Sequence, residues 1–528
     1  MRSRHYVFLA LLVCLVLFVP WLGDTYFYTK GEPREAIVAT SILQSGDWIL
    51  PVSQGTDIPY KPPLLAWCIA LLASLLNGGV VNEFIARLPS ALAASAMLAG
   101  TFAVVQRHSS DKLLAWLTML ICATSFEVFR AATACRVDML LTACMVGAIY
   151  ALYGMDRDRW RILWAVLLLS GAVLTKGPVG ALLPCLCIGI YMLADGRNFF
   201  RTAGILLAVC AASFLLPAVW YYLAWKQGGD TFAQLAWEEN IGRLTGTMSY
   251  DSHLNPWYYN VVSILAGFLP WTVPAITALC YRRVRRAIPQ SLPRHGWPLL
   301  CLVCAAVVFL FYCIPASKRS VYLLPCYPFM SYGIAWALAR IGRTKFMSGW
   351  CYFMGATGVA AGAVFVLVNT GVLHIKGVIP VSPWLWGAAL LPGIVCAYTL
   401  CTRRPRTLGL TTAVAFTYLL VLAYNAAYMP MALNARSDIG AARAIDSRVP
   451  AGAPIYGVVP QDSLLRYYSI NFYLGDRLRH CRYPGDAPDD AWIICSEADP
   501  TRPAPDTLSR RGADTRRPIL LMAPRQLP

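Results

Sequence analysis

Residues 136–161 read RVDMLLTACMVGAIYALYGMDRDRWR. An arginine and an aspartate stand near the start of this segment, an apolar run follows, and three arginines lie at its end. A bilayer core about 30 Å thick is crossed by about 20 helical residues. The segment therefore predicts a membrane-spanning helix with a carboxylate at one membrane face and a positively charged loop at the other.

Similar apolar runs recur along all 528 residues. The chain is 58% hydrophobic and 14% charged, whereas globular domains contain about 25% charged residues. Apolar segments begin near residues 6, 64, 86, 113, 137, 161, 178, 202, 257, 297, 319, 349, 383 and 408. The composition predicts an all-α polytopic membrane protein.

The charged loops between these runs set the expected topology. Short arginine-rich loops are typical of the cytoplasmic face, and this clustering argues against nucleic-acid binding despite the net charge of +18. The basic loops contain Arg107, His108 and Lys112, then Arg157, Arg159 and Arg161, and later Arg282, Arg283, Arg285 and Arg286. With Arg2 and Arg4 also cytoplasmic, loops 23–85 and 224–256 lie outside.

Loop parity allows thirteen spans if residues 64–80 lie in the outer interface instead of crossing the membrane. The first apolar run is followed by no small-residue cleavage site, so we interpret it as an uncleaved first helix with a cytoplasmic N-terminus. We expect a transmembrane domain over 1–428 and a soluble periplasmic α/β domain over 429–528.

The composition of the C-terminal segment is that of a soluble domain. Strands are expected at 454–459, 491–495 and 519–522, and a short amphipathic helix at 463–474. Cys481 and Cys495 lie in this segment and could form a disulfide in an oxidising compartment.

The charged residues at the predicted outer membrane face form the candidate site. The groups are Gly31-Glu32-Pro33-Arg34-Glu35-Ala36, Tyr60-Lys61-Pro62-Pro63-Leu64, Arg136-Val137-Asp138, the stretch from Trp237 through Glu238 and Glu239 to Arg243, and the single residues Lys176 and Lys318. Each has a simpler interpretation as a solvated turn, a lysine reaching the interface, a structural ion pair or a surface network. Lysines and arginines on the outer face are, however, contrary to the positive-inside rule. Their presence there favours an anionic ligand.

Together these residue types suit phosphate departure from a sugar. Cations stabilise the charge that develops on the leaving phosphate, and a carboxylate orients or deprotonates the nucleophile. A long lipid tail would lie between the helices. A secondary transporter would show paired repeats and ionisable groups at mid-depth instead, and a catalytically inactive scaffold would tolerate loss of these residues.

An ordered set of motifs over about residues 1–340 resembles the aminoarabinose transferases of lipid A and the wider protein mannosyltransferase-like superfamily. The motifs are Glu32-Pro33-Arg34-Glu35-Ala36, Gly46-Asp47-Trp48, Lys61-Pro62-Pro63-Leu64, Arg87-Leu88-Pro89-Ser90-Ala91, Arg136-Val137-Asp138-Met139-Leu140, Thr175-Lys176-Gly177-Pro178, His253 to Tyr259 and Lys318 to Pro325. The resemblance implies an inverting glycosyltransferase of the bacterial inner membrane. It would move a monosaccharide from a polyprenyl-phosphate carrier to lipid A or another envelope acceptor on the periplasmic side, with protein hydroxyls as the alternative acceptor.

Position by position, the resemblance implies that Lys61 binds the carrier phosphate, that Glu32 and Asp138 are the outer acids, and that Tyr322 lines the site. This chain has Gly31 where the family has an aspartate. Tyr60 and Asn240 replace a glutamate and a histidine suited to a divalent metal.

The predicted site therefore has three groups of residues. The catalytic group is Glu32, Glu35 and Asp138, the donor-phosphate group is Arg34, Lys61, Lys176, Arg243, Lys318 and Tyr322, and the candidates for binding a divalent metal ion are Glu238 and Glu239.

Overall fold

A computed structural model gives the fold. It describes residues 2–59, 61–156, 158–242, 254–290, 295–315, 317–341, 345–401, 410–459, 467–497, 502–503, 505–509 and 518–525. Arg243 and His253 lie outside the described residues, as do Tyr60 and most of the first half of the expected helix at 463–474.

The described chain is mostly helical. The first helices are α1 (Arg2–Phe18), α2 (Gly31–Ser45), α3 (Leu64–Leu76), α4 (Glu83–Ser109), α5 (Lys112–Ala123), α6 (Phe126–Ala132), α7 (Val137–Tyr153), α8 (Trp160–Lys176), α9 (Val179–Ala194) and α10 (Phe199–Trp237). They are followed by α11 (Tyr259–Gly267), α12 (Thr272–Cys280), α13 (Arg282–Gln290), α14 (Gly296–Cys313), α15 (Tyr327–Ile341), α16 (Lys345–Asn369), α17 (Trp386–Cys401), α18 (Leu410–Ala423), α19 (Met429–Leu433), α20 (Ile439–Arg448) and α21 (Tyr468–Tyr473). Short 3-10 or π segments cover Glu238–Gly242, Ser320–Cys326, Pro383–Leu385, Tyr424–Tyr428, Asn434–Arg436 and Pro484–Asp486.

Helices α4 and α7 pack against each other in the middle of the bundle. Helix α4 also packs on α1 and α5, and α7 packs on α8 and α9. Polar side chains mark where several helices begin: Asn82 accepts a hydrogen bond from the Ile85 amide at 2.9 Å, and Asp111 accepts one from the Leu114 amide at 3.1 Å. The ends of the helices therefore fall where the charges of the sequence are.

By length and composition, six helices of the described chain can cross a membrane, or up to eight if each of two bent pairs is one span. The bent pairs are α5 with α6, at 68°, and α11 with α12, at 100°. Helices α1, α3, α7 and α9 are apolar but shorter. The protein is thus a multi-pass membrane protein, and thirteen spans stays a prediction.

The segment after residue 224 is more regular than the expected loop. Helix α10 continues through it to Trp237, and the only non-helical residue inside that helix is Gly229, at φ 55° and ψ −143°. The π-helical turn Glu238–Gly242 follows directly. The sequence pattern missed this extension because it locates apolar length and gives no information about polar helix beyond the membrane.

A five-stranded sheet lies near the C-terminus. Its strands are β1 (Ile455–Val458), β2 (Leu478–Cys481), β3 (Trp492–Cys495), β4 (Asp506–Ser509) and β5 (Ile519–Met522), in the order β2-β1-β3-β5-β4. Strand β1 is parallel to both β2 and β3, whereas β5 is antiparallel to β3 and β4. The expected strands β1, β3 and β5 are confirmed; β2 and β4 were not predicted, since their alternation of apolar residues is weak.

Cys481 and Cys495 do not meet. Val458 of β1 pairs with Cys481 on one side, and Gly457 pairs with Ile494 on the other, so β1 separates the two cysteines. Two inter-strand spacings are about 10 Å, which exceeds the limit of about 7 Å between the Cα atoms of a disulfide. The suggested disulfide is therefore wrong.

The C-terminal segment docks on residues 27–54 through α21 and the turn after it. Asp476 accepts hydrogen bonds from the Ser41 hydroxyl at 2.9 Å and from the Gln54 amide at 2.9 Å. The Phe27 amide donates to the Tyr473 hydroxyl at 2.9 Å. These bonds connect segments more than 400 positions apart.

We expect Asp476→Ala to lower the free energy of unfolding by about 1–3 kcal/mol, because it leaves buried donors unpaired. The check is thermal unfolding of the detergent-purified protein. Asp489→Ala, which removes only a surface ion pair with Arg525, is the matched control. Equal transition temperatures for the two variants would contradict this docking contact.

Candidate functional site

A buried ion pair anchors the start of α2. The Arg87 Nε atom donates to Glu32 Oε1 at 2.8 Å, and both side chains are almost fully buried. The Cys135 amide donates to the same carboxylate at 3.1 Å, and the Thr29 hydroxyl at 3.4 Å. Arg87 also donates to the Leu22 carbonyl at 2.8 Å. Glu32, predicted as a catalytic acid, thus has both oxygens engaged inside the protein.

Glu35 lies one helical turn further along α2 and faces a different pair of cations. Arg34 Nη2 donates to Glu35 Oε1 at 3.0 Å, and the Lys61 ammonium makes a close ion pair with the same oxygen. About a fifth of the Lys61 side chain is exposed. Arg34, Glu35 and Lys61 form the Glu35 cluster.

The charges of the Glu35 cluster shift each other's ionisation. Burial works to raise the pKa of Glu35, but Lys61 and Arg34 outweigh it and lower that pKa. Burial, followed by repulsion from Arg34, lowers the pKa of Lys61 to about 8 despite the attraction of Glu35. Lys61 is therefore a cation whose charge is lost in the mildly alkaline range.

Asp138 forms a second group, the Asp138 cluster, at the start of α7. The Lys176 Nζ atom lies 2.5 Å from Asp138 Oδ1, and Arg136 Nε lies 4.0 Å from Oδ2. Lys176 also sits 4.2 Å from the centre of the Tyr322 ring, a cation–π contact. Predicted site residues from α7, α8 and the Ser320–Cys326 segment are thereby brought together.

The two clusters adjoin. The Lys61 ammonium of the Glu35 cluster interacts electrostatically with the Asp138 carboxylate of the other cluster. The charges of the two clusters therefore influence each other. A Cβ atom on Gly31 would lie 3.3 Å from the Arg136 guanidinium. Gly31 therefore lies against the same guanidinium that is next to Asp138.

Arg130 and Glu127 extend the site and were missed as a pair. Arg130 binds Glu127 through two nitrogens, at 3.1 and 2.6 Å, and its Nη2 lies 3.5 Å from the Ser320 hydroxyl. A third of the Arg130 side chain is exposed. The signal was available, because acidic and basic residues three positions apart on a helix are neighbours.

Three further predicted residues have contacts outside the two clusters. Lys318 is buried and donates to the backbone carbonyl of Pro315 at 2.8 Å, so it fastens its own loop. Glu238 and Glu239 lie in the π-helical turn, where Gln234 donates to Glu238 at 3.4 Å. Among the described residues no group of three His, Cys, Asp or Glu side chains could hold a metal ion. Metal binding stays a prediction.

The turn after Lys176 requires glycine. Gly177 has φ +87°, and a Cβ atom there would lie 2.1 Å from Asn240 Oδ1. The Glu238–Gly242 turn thus lies directly against the Thr175-Lys176-Gly177-Pro178 motif. Asn240, which takes the place of the family's histidine, is held there by donating to the Ala236 carbonyl at 2.8 Å.

Comparison with known proteins identifies relatives by sequence and by fold. Residues 60–222 match the family model described as dolichyl-phosphate-mannose-protein mannosyltransferase. An uncharacterized protein of Aquifex aeolicus is 30% identical over 337 residues, covering 63% of this chain and 73% of the relative. A second uncharacterized A. aeolicus protein is 27% identical over 329 residues; that match spans 62% of its length.

A named relative is the undecaprenyl phosphate-alpha-4-amino-4-deoxy-L-arabinose arabinosyl transferase 2 of Proteus mirabilis, which is 26% identical over 419 residues, 74% of this chain and 71% of the relative. The crystal structure of ArnT from Cupriavidus metallidurans bound to undecaprenyl phosphate has the same fold, with a TM-score of 0.72, 19% identity and 98% of each chain covered.

The fold and these matches define a membrane glycosyltransferase of the multi-spanning type. The chain belongs to the superfamily of protein mannosyltransferases and lipid A aminoarabinose transferases, which use polyprenyl-phosphate-linked sugars.

Arg87→Met should lower the free energy of unfolding by about 3–5 kcal/mol, because it leaves Glu32 buried without its cation. Glu32→Gln combined with Arg87→Met should recover part of that loss. Thermal unfolding in detergent checks both variants. No recovery in the double variant would contradict the ion pair as the source of the effect.

Proposed function

We propose that the protein transfers a monosaccharide from a polyprenyl-phosphate carrier to lipid A or another envelope acceptor at the periplasmic face of the bacterial inner membrane. The observation that carries the proposal is the meeting of the Glu35 and Asp138 clusters. Lys61 and Lys176 are each paired with a carboxylate there, and Lys176 also contacts the Tyr322 ring. The charges lie at helix ends, unlike the mid-depth charges of a transporter.

The proposed reaction breaks the bond between the anomeric carbon and the phosphate oxygen and forms a bond from that carbon to the acceptor oxygen. The acceptor's proton passes to a carboxylate, and the electron pair of the broken bond stays on the phosphate. The leaving phosphate gains negative charge, which Lys61, Arg34 and Lys176 would stabilise. Attack from the opposite face of the sugar would invert the anomeric centre.

Phosphate binding would also activate Glu35. In the structure Glu35 forms an ion pair with the Lys61 ammonium. A carrier phosphate that takes over this ammonium removes the interaction that lowers the Glu35 pKa. That pKa then rises, which makes the carboxylate a better proton acceptor. Glu35 and Asp138 are therefore the proposed acids that contact the acceptor.

The same geometry suggests different roles for further residues. Glu32 is held by Arg87, so we propose that it positions the loop, alongside its predicted catalytic role. Arg136 and Arg130 border the Asp138 cluster and are added to the proposed phosphate cations. Lys318 would act by holding its loop, and Arg243 remains a proposed phosphate ligand on sequence grounds.

The named relatives motivate the choice of carrier. The P. mirabilis relative is named as a transferase of an undecaprenyl-phosphate sugar, and the C. metallidurans protein was crystallised with undecaprenyl phosphate. We propose the same carrier here. Mass spectrometry of lipid A, envelope glycans and envelope proteins from a deletion strain separates a lipid acceptor from the alternative, protein hydroxyls.

Lys61→Ala should lower kcat/KM with an undecaprenyl-phosphate sugar by about 100-fold or more, because it removes a cation from the leaving phosphate. Sugar transfer by the purified protein is the measurement. Lys226→Ala, which removes an exposed lysine of α10, is the matched control. Full activity of Lys61→Ala would reject the assigned phosphate site.

The donor KM of the wild type should rise above about pH 8, by up to about tenfold per pH unit, because the lowered pKa of Lys61 makes it neutral there. Lys61→Arg keeps its charge up to about pH 12. Its KM should stay level between pH 7 and 10. Identical pH profiles for the two proteins would exclude Lys61 as the titrating group.

Glu35→Gln and Asp138→Asn should each lower kcat by about 100-fold with little change in thermal stability. Glu32→Gln should instead lower the transition temperature more than the activity of the folded fraction. Turnover per folded molecule, from activity and size-exclusion profiles, makes the comparison. A large kcat loss confined to Glu32→Gln would assign the acid to that residue.

A further inference from the structure

A cavity of about 660 Å³ lies at the opposite end of the helix bundle from the site. Arg87 near the start of α4 belongs to the site region, and Arg107 near its end lines the cavity. Twenty helical residues span about 30 Å, the thickness of a bilayer core. The cavity therefore opens at the other membrane face.

Three cations from three helices line this cavity: Arg107 from α4, Lys112 from α5 and Arg161 from α8. Within the part of the chain that the structure describes, none of them lies within 4.0 Å of a carboxylate. Lys112 lies over the Tyr6 ring at 4.5 Å. The cavity thus presents a concentrated positive charge.

The nearby carboxylates are engaged elsewhere. Asp111 accepts from the Leu114 amide, and Asp158 accepts from the Trp160 amide at 3.0 Å. Asp156 pairs with Arg197 at 2.7 Å. Asp156 is thus paired with a cation outside the cavity, and Asp111 and Asp158 bind backbone amides instead of making an ion pair with the three cavity cations.

The walls of the cavity are fixed by packing. The His108 ring stacks on Trp297 at 6.0 Å and meets Tyr153 edge-on at 4.9 Å. A Cβ atom on Gly154 would lie 2.1 Å from Arg161 Nη1. The Arg161 guanidinium therefore packs directly on the Gly154 backbone, in the space that a side chain would occupy. Any larger residue at 154 would move the guanidinium without removing a charge.

Aromatic residues place the cavity at headgroup level. Trp160 and Trp164, on the same helix as Arg161, are 71% and 61% exposed, as is typical of the aromatic belt at a membrane interface. We propose that the cavity binds the phosphate headgroup of an anionic phospholipid from the leaflet opposite the site. Cations between helices at a membrane face are suited to such headgroups.

The test is native mass spectrometry of the delipidated full-length protein, with phosphatidylglycerol or phosphatidylcholine of the same acyl chains as probe. The wild type should retain phosphatidylglycerol preferentially. Arg107→Gln combined with Arg161→Gln should weaken its binding by about tenfold or more. The matched control, Arg282→Gln with Arg286→Gln, removes equal charge from α13, another basic segment, and should change binding less than about twofold.

Gly154→Ala provides a second variant that keeps every charge, and it should also weaken phosphatidylglycerol binding. Thermal unfolding confirms that each variant is folded. Three outcomes overturn the proposal: equal retention of both lipids by the wild type, equal loss in the two double variants, or displacement of phosphatidylglycerol by millimolar inorganic phosphate. The last would assign the cavity to a soluble phosphate compound.

Discussion

The buried ion pair between Arg87 and Glu32 sets the positions of the two clusters relative to each other. Glu32 precedes Glu35 by one helical turn on α2, so fixing the first carboxylate orients the second. The Cys135 amide bonds to the same carboxylate, three positions before Asp138. One buried contact therefore determines where both acids of the site lie. Such a pair is costly to break from one side, because it leaves a charge without its partner in a medium of low dielectric constant.

The cations of the site are largely neutralised before any ligand arrives. Lys61 and Arg34 share Glu35, Lys176 pairs with Asp138, and Arg130 pairs with Glu127. A lipid-linked phosphate would enter by exchanging partners with a carboxylate, which avoids leaving bare charges near hydrocarbon. The opposite cavity differs, since no carboxylate of the described residues lies within 4.0 Å of its three cations. The cations at one end of the bundle are therefore paired with carboxylates, whereas those that line the cavity at the other end are not, within the described chain.

Much of this organisation could be predicted from the sequence. Charges at the ends of apolar runs located Glu35, Lys61, Asp138 and Lys176, and the structure brings them together. The pairing of Arg87 with Glu32 was beyond such an argument, because the partners are 55 positions apart. The sequence showed Arg87 only as part of the motif Arg87-Leu88-Pro89-Ser90-Ala91 and indicated no partner for it. Contacts of this kind depend on the packing of helices, which periodicity does not determine.

The same limit applies to the contacts of other residues. Lys318 matched the pattern of an outer cation, but its partners are backbone carbonyls, which sequence does not display. A disulfide between Cys481 and Cys495 was considered from the sequence, but β1 lies between the strands that contain them.

The docking of Asp476 on Ser41 and Gln54 has a consequence for biogenesis. Helix α2, which contains Glu35, leaves the ribosome long before residue 476 is made. The hydrogen bonds from Ser41 and Gln54 to Asp476 therefore form only when translation is nearly finished. Until then a nascent chain lacks the hydrogen bonds of Asp476 to Ser41 and Gln54. Chains that stop early would reach the bilayer without these bonds.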